Sequence, residues 1–262
     1  MYQLATAPRG IGQVLDSVFK LMKAAFVPLL PFAIVGAIVA SVPWIYFYQQ
    51  GALANPLLMA NIFMSPGYWL MLLVTMPLGV IVYGAALART ESIAVGEPIG
   101  FGAAFARVSP RVVAMAVAMF LFMIAVSVGM VLLIVPGLIL LVSLAMFLPA
   151  IALDGKGPLE SLKYSHKLVW GNWWRTSAVF LIAFIIMYVL MLVIGIALGL
   201  VFAFTGFDPA AALVIDAVSS VVGGLLVMPF FCALYLEVYR DLKMRKTGGD
   251  LAARIEATGA AH

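Results

Sequence analysis

Of 262 residues, 65% are hydrophobic and 10% charged, with a mean hydropathy of +1.16 and a net charge of +4. Soluble domains average roughly 45–50% apolar and about 25% charged residues, so this chain requires lipid as its solvent. A single cysteine excludes a disulfide framework or a cysteine-built metal site, and so small a net charge gives no ground for a nucleic-acid partner.

A hydrocarbon core of about 30 Å takes roughly 20 apolar residues per helix. The chain opens with a short segment in which Ile11, Leu15, Val18, Phe19 and Met22 follow helical spacing opposite Gln13, Asp16, Ser17 and Lys20, predicting a surface helix. Span one follows at about 24–48, too long for the apolar region of a signal peptide, so Ala52-Leu53-Ala54 is read as part of an external loop. Span two occupies about 68–88. The apolar run 112–153 is too long for one helix and is divided at Val135-Pro136-Gly137, a turn signal that ends span three and starts span four. Pro158 fits the first turn of a second surface helix, with Leu159, Leu162, His166 and Val169 on one stripe and Glu160, Lys163 and Lys167 on another. Spans five and six cover about 176–204 and 210–236, long enough to tilt or to project from the membrane. The expected architecture is an all-α, six-span transmembrane bundle over 1–246, with a flexible cytoplasmic tail at 247–262.

The basic residues orient it. Arg9, Lys20 and Lys23 precede span one; Arg89, Arg107 and Arg111 lie between spans two and three; Lys156, Lys163, Lys167 and Arg175 lie between four and five; Arg240, Lys243, Arg245, Lys246 and Arg254 follow span six. All fifteen fall on one side of the six-span arrangement, and the positive-inside rule makes that side cytoplasmic, with both termini. Trp44, Tyr46, Tyr48, Tyr68 and Trp69 bracket the first external loop, and Trp170, Trp173 and Trp174 stand where span five enters, as headgroup-level anchors do.

Similar cytoplasmic segments point to an internal repeat. Pro8-Arg9-Gly10-Ile11-Gly12 matches Pro98-Ile99-Gly100-Phe101-Gly102, and Pro77, Pro136 and Pro229 mark the even-numbered spans. The implied unit is a surface helix plus a transmembrane hairpin, repeated at about 8–97, 98–157 and 158–246. Surface helices of this kind either meet lipids or a partner through Lys20, Lys23, Arg107, Arg111, Lys163, Lys167 and Arg175, or pack back to close the bundle.

Ionisable groups within spans are costly and usually functional. Glu237, near the inner end of span six, most simply pairs with Arg240. Asp216, about a turn below the outer surface, either snorkels outward or faces a polar cavity as a proton or cation site. Gly195 and Gly199, and the small residues Ser219, Ser220, Gly223 and Gly224, have the four-residue spacing of close helix packing. Neither a zinc signature nor a phosphate-cradling loop is present, the two histidines are His166 and His262, and Cys232 reads as a small core residue.

From Val135 to Arg175 the chain reads VPGLILLVSLAMFLPAIALDGKGPLESLKYSHKLVWGNWWR. Its Pro-Gly turn, Leu-Pro-Ala span end, acidic-glycine turn and the Leu-x-x-Ser-x-x-Leu-x-x-Gly-Asn-Trp helix resemble a bacterial family. That family is the membrane domain found ahead of some glycerophosphodiester phosphodiesterases, with its stand-alone YciC-like relatives. The resemblance implies a bacterial inner-membrane protein, and Pro136, Gly137, Pro149, Ser165, Gly171 and Trp173 then stand at turn, packing and anchor positions. Residues for the phosphodiesterase barrel are absent, so no catalytic residue carries over. The resulting expectation is a non-enzymatic accessory or scaffold protein without cofactor, engaging membrane lipids, another membrane protein or itself. The alternative is a small transporter with a cavity between repeats and Asp216 near its external mouth.

Overall fold

The computed structural model describes residues 2, 5, 7–51, 55–204 and 209–259, with side chains left out at 56, 209–220 and 249–259. The helices are α1 (Ile11–Gln49), α2 (Met59–Met64), α3 (Pro66–Val95), α4 (Phe101–Val108), α5 (Val112–Leu132), α6 (Ile134–Ser143), α7 (Phe147–Ala152), α8 (Pro158–Val169), α9 (Trp173–Phe204) and α10 (Pro209–Gly259). Among the described residues there is no strand. Six stretches are long and apolar enough to cross a membrane: Ile11–Gln49, Pro66–Val95, Phe101–Leu132, Ile134–Ala152, Trp173–Phe204 and Val221–Gly248. The protein is an all-α, six-span, multi-pass membrane bundle.

Three boundaries differ from the sequence reading. The expected first surface helix is continuous with span one in α1, because no residue between Ile11 and Gln49 stops the hydrogen-bonded ladder; Pro28, Pro31 and Pro43 are carried inside it, as membrane helices permit. Its inward face is also turned: Ser17 is buried beside Val14, Val18 and Leu21, while Phe19 is 42% exposed. The hairpin between spans three and four turns at Leu133 alone, in an extended conformation (φ −160°, ψ 140°). Pro136 therefore sits in the first turn of α6, where a missing N–H costs nothing. Gly137 lies inside the helix, where a Cβ on Gly129 would come 2.9 Å from the Gly137 Cα. Finally, α10 runs through the expected tail to Gly259.

Span four is broken. Its helix stops at Ser143 and resumes at Phe147. Pro149 explains the position, since proline can neither donate to the Ala145 carbonyl four residues back nor tolerate it sterically. The freed backbone groups need partners. Ser165, fully buried on α8, supplies them: its hydroxyl accepts from the Met146 N–H at 2.9 Å and donates to the Ser143 carbonyl at 2.8 Å. Trp173 Nε1 donates to the Ile139 carbonyl on the same span at 3.2 Å.

The buried residues of α8 are accordingly Ser161, Leu162, Ser165, Leu168 and Val169, with Leu159 60% exposed, a face rotated from the predicted stripe. The core continues through Leu21, Leu29 and Phe32 of α1, Leu87 of α3, Met115 of α5 and Phe230, Leu234, Leu236 and Tyr239 of α10. Small residues set the crossings, as apolar solvent drives packing through close contact rather than burial. A methyl added to Gly84 would lie 2.3 Å from Met115 Cε, and one added to Gly224 would lie 3.5 Å from Ala37 Cβ. A Cβ on Gly223 would meet Met191 Sδ at 3.9 Å, whereas Gly195 and Gly199 meet no described atom within 4 Å.

Candidate functional site

Hydrogen bonds and ion pairs link the N-terminal segment, the end of α3, α4, the end of α7, α8, the start of α9 and the end of α10 into one charged end of the bundle. Its centre is Asp241, 2% exposed. One carboxylate oxygen accepts from the Arg9 backbone N–H at 2.9 Å. The other accepts from Arg175 at 2.7 Å and from Arg245 Nε at 2.8 Å. Both guanidinium groups also donate to the Arg9 carbonyl. One residue of the N-terminal segment is thus gripped through both of its backbone polar groups.

Glu237, one helical turn before Asp241 and 4% exposed, carries the second half of the clamp. It pairs with the Arg9 guanidinium at 3.4 Å and accepts from the Tyr2 hydroxyl. The expected pairing with Arg240 is therefore corrected. Arg240 points to the Tyr2 hydroxyl at 3.5 Å and to Glu91 at 4.0 Å, while the N-terminal segment occupies the place beside Glu237. Burial and the neighbouring Glu237 carboxylate push the Tyr2 phenol above its ordinary range, so it stays a neutral donor.

Other cations close the ends of neighbouring helices. Arg111, at the base of span three, donates to the carbonyls of Ile151 (3.3 Å) and Ala152 (2.7 Å) at the end of span four. Arg107 pairs with Glu91 at 2.9 Å. Asp154 accepts from the Tyr239 hydroxyl at 2.7 Å and from Lys243 at 2.9 Å. Lys156 pairs with Glu160 at 2.8 Å. That hydrogen bond, with help from the Gly157 N–H, holds the Glu160 carboxyl below its ordinary range and raises Lys156.

The seven cations named as a candidate lipid or partner surface divide between the two readings. Lys20, Lys23, Lys163 and Lys167 are exposed, with Lys20 paired to Asp16 at 2.6 Å. Arg107, exposed itself, holds Glu91, and Arg111 and Arg175 are half-buried clamps. Asp216 lies on the backbone of α10, and its side chain is outside the described residues, as are Ala52–Ala54. Cys232 is buried in the core. Among the described residues no three His, Cys, Asp or Glu side chains gather as metal ligands.

Sequence reasoning did not single out Asp241, read Arg9 only as an orienting charge, and placed Ser165 only among the turn, packing and anchor positions that the family resemblance implies. Asp241 was signalled by spacing: Glu237, Asp241 and Arg245 recur every four residues and share one face of α10. Beyond the clamp, α8 and the end of α10 enclose a concavity of about 540 Å³ lined by Tyr164, His166, Lys167, Trp170, Lys243 and Lys246, with Leu168 and Thr247.

The fold and this end define a six-span membrane protein whose described charged side chains are gathered at one end. Residues 60–242 match a family described as a domain of unknown function, DUF7847, and the chain belongs to that family. No curated protein and no solved structure matches it.

Proposed function

We propose that the chain is a non-enzymatic accessory or scaffold protein of a bacterial cytoplasmic membrane, with both termini in the cytoplasm, that meets anionic lipids or a membrane partner through its charged end. The observation that carries this reading is how the cations are sorted there. Arg9, Arg111, Arg175 and Arg245 turn inward onto carboxylates and backbone carbonyls, which suits a planar, multi-donor guanidinium. Lys23, Lys163, Lys167 and Lys246 stay exposed, with no ion-pair partner among the described residues. An end held together by arginines and coated with lysines attracts anionic headgroups, each basic residue near such a surface contributing about 1 kcal/mol. The resemblance of residues 135–175 to the membrane domain of glycerophosphodiester phosphodiesterases agrees with this placement.

The three-repeat organisation belongs to the same reading. Gly10, Gly100 and Gly157 open α1, α4 and α8 with nearly the same backbone (φ −65°, −71° and −68°; ψ 163°, 169° and 167°). Pro77, Pro136 and Pro229 each stand nineteen residues before a glycine: Gly96, Gly155 and Gly248. Native mass spectrometry of gently extracted protein tests the function. Co-purifying anionic phospholipid or a membrane partner is expected, and a bare monomer with neither contradicts it.

A further inference from the structure

The concavity between α8 and α10 has a chemistry distinct from the clamp. Lys167 projects from the exposed side of α8, and Lys246 from α10, both exposed and without an ion-pair partner among the described residues. Lys243 lines the same space but shares its charge with Asp154 at 2.9 Å. Two ammonium groups without a counter-ion among the described residues therefore line one pocket, with a third partly neutralised.

The remaining wall is aromatic. His166 lies against Trp170, ring centroids 5.0 Å apart and inclined by 32°, and Trp170 is 55% exposed. Trp170 closes α8 immediately before α9 enters the membrane. On α9, the exposed Trp174, Leu181 and Ile185 follow one another along a single helical face. A cationic pocket, an indole between α8 and α9 and an exposed apolar face on α9 supply the three chemistries of a phospholipid.

We infer that this pocket binds the phosphate headgroup of an anionic glycerophospholipid, Lys167 and Lys246 holding the phosphate oxygens and Trp170 the glycerol region, with an acyl chain along Trp174, Leu181 and Ile185. This rests on the lipid-engaging reading above and gives it a specific site. Inorganic phosphate shares the charge but not the apolar track, so the two sources can be told apart.

The test uses the full chain with phosphatidylglycerol or phosphatidylcholine, with retained lipid counted by native mass spectrometry. Wild type retains phosphatidylglycerol preferentially. The K167Q/K246Q variant leaves every ion pair of the clamp intact and retains it at least tenfold less, since two interfacial lysines are worth about that much or more. K20Q/K23Q, which thins only the general lysine coat, lowers retention by clearly less than K167Q/K246Q, and millimolar inorganic phosphate does not displace the lipid. Equal retention by K167Q/K246Q and wild type, with preference kept, overturns the site but leaves the broader reading standing. Loss in K20Q/K23Q equal to that in K167Q/K246Q, or displacement by inorganic phosphate, also overturns the site. No preference in wild type overturns the broader reading as well.

Discussion

Asp241→Asn removes the charge at the centre of the clamp while keeping the side chain's size. In the native protein the carboxylate is 2% exposed and receives three donors: the Arg9 N–H and the guanidinium groups of Arg175 and Arg245. Breaking a buried ion pair by removing one partner costs about 3–5 kcal/mol, because the other charge is left uncompensated. Here the two arginine side chains remain 20% and 26% exposed, so water recovers part of that cost, and a net loss of about 2–3 kcal/mol follows. At about 2–4 °C per kcal/mol for a chain of this size, the apparent Tm falls by roughly 4–12 °C. The loss has a location. Arg9 loses the anchor of its N–H and the charge that fixes the two guanidinium groups on its carbonyl, so trypsin cleaves after Arg9 at lower protease concentration than in wild type. Thermal unfolding in mild detergent and timed digestion read both effects. An unchanged Tm together with an Arg9 bond as resistant as in wild type would refute the clamp.

Ser165→Ala leaves the Met146 N–H and Ser143 carbonyl buried without their partner, costing about 1–3 kcal/mol; the Tm falls and amide exchange at Met146 rises, whereas an exchange pattern indistinguishable from wild type would mean the broken span is mended elsewhere. Gly155 has φ +71°, and a Cβ there would lie 3.1 Å from the Arg111 guanidinium. Gly155→Ala therefore combines roughly 1–2 kcal/mol of backbone strain with displacement of the group that caps Ile151 and Ala152, lowering the Tm by at least about 2 °C, and a Tm unchanged from wild type would count against both. Glu160 gains stability from Lys156 and the Gly157 N–H in its ionised form, so its contribution is present at neutral pH and disappears as pH falls through its lowered folded-state value, below the ordinary carboxylate range. Protection of the first turn of α8, corrected for intrinsic exchange, should weaken over that acidic window in wild type and lose this pH dependence in Glu160→Gln.

The six spans were legible because a 20-residue apolar run and one-sided basic residues are properties of sequence alone. Fine boundaries were less so. Pro136-Gly137 reads locally as a turn, but the chain reverses at Leu133, where the facing Gly129 and Gly137 let two helices meet. The break in span four was signalled by Pro149, yet its repair depends on Ser165, nineteen residues from Met146 and supplied by another helix. The lysine and arginine roles were not separable in sequence, since both types obey the same orientation rule. Only the three-dimensional positions of the Asp241 and Glu237 carboxylates and the α7 carbonyls distinguish cations that face inward from those that do not. Such long-range pairings, Arg9 with Asp241 above all, have no local pattern.

Everything assigned to the charged end depends on all of it facing the cytoplasm. In a Cys232→Ala background, single cysteines at Gln50, Val135, Phe207, Val95 and Glu160 can be probed with a membrane-impermeant thiol reagent on intact cells and again after permeabilisation. Labelling of positions 50, 135 and 207 in intact cells, with 95 and 160 reacting only after permeabilisation, is the predicted result. Reaction of position 95 or 160 from outside the intact cell would contradict the orientation and, with it, the function proposed for that face.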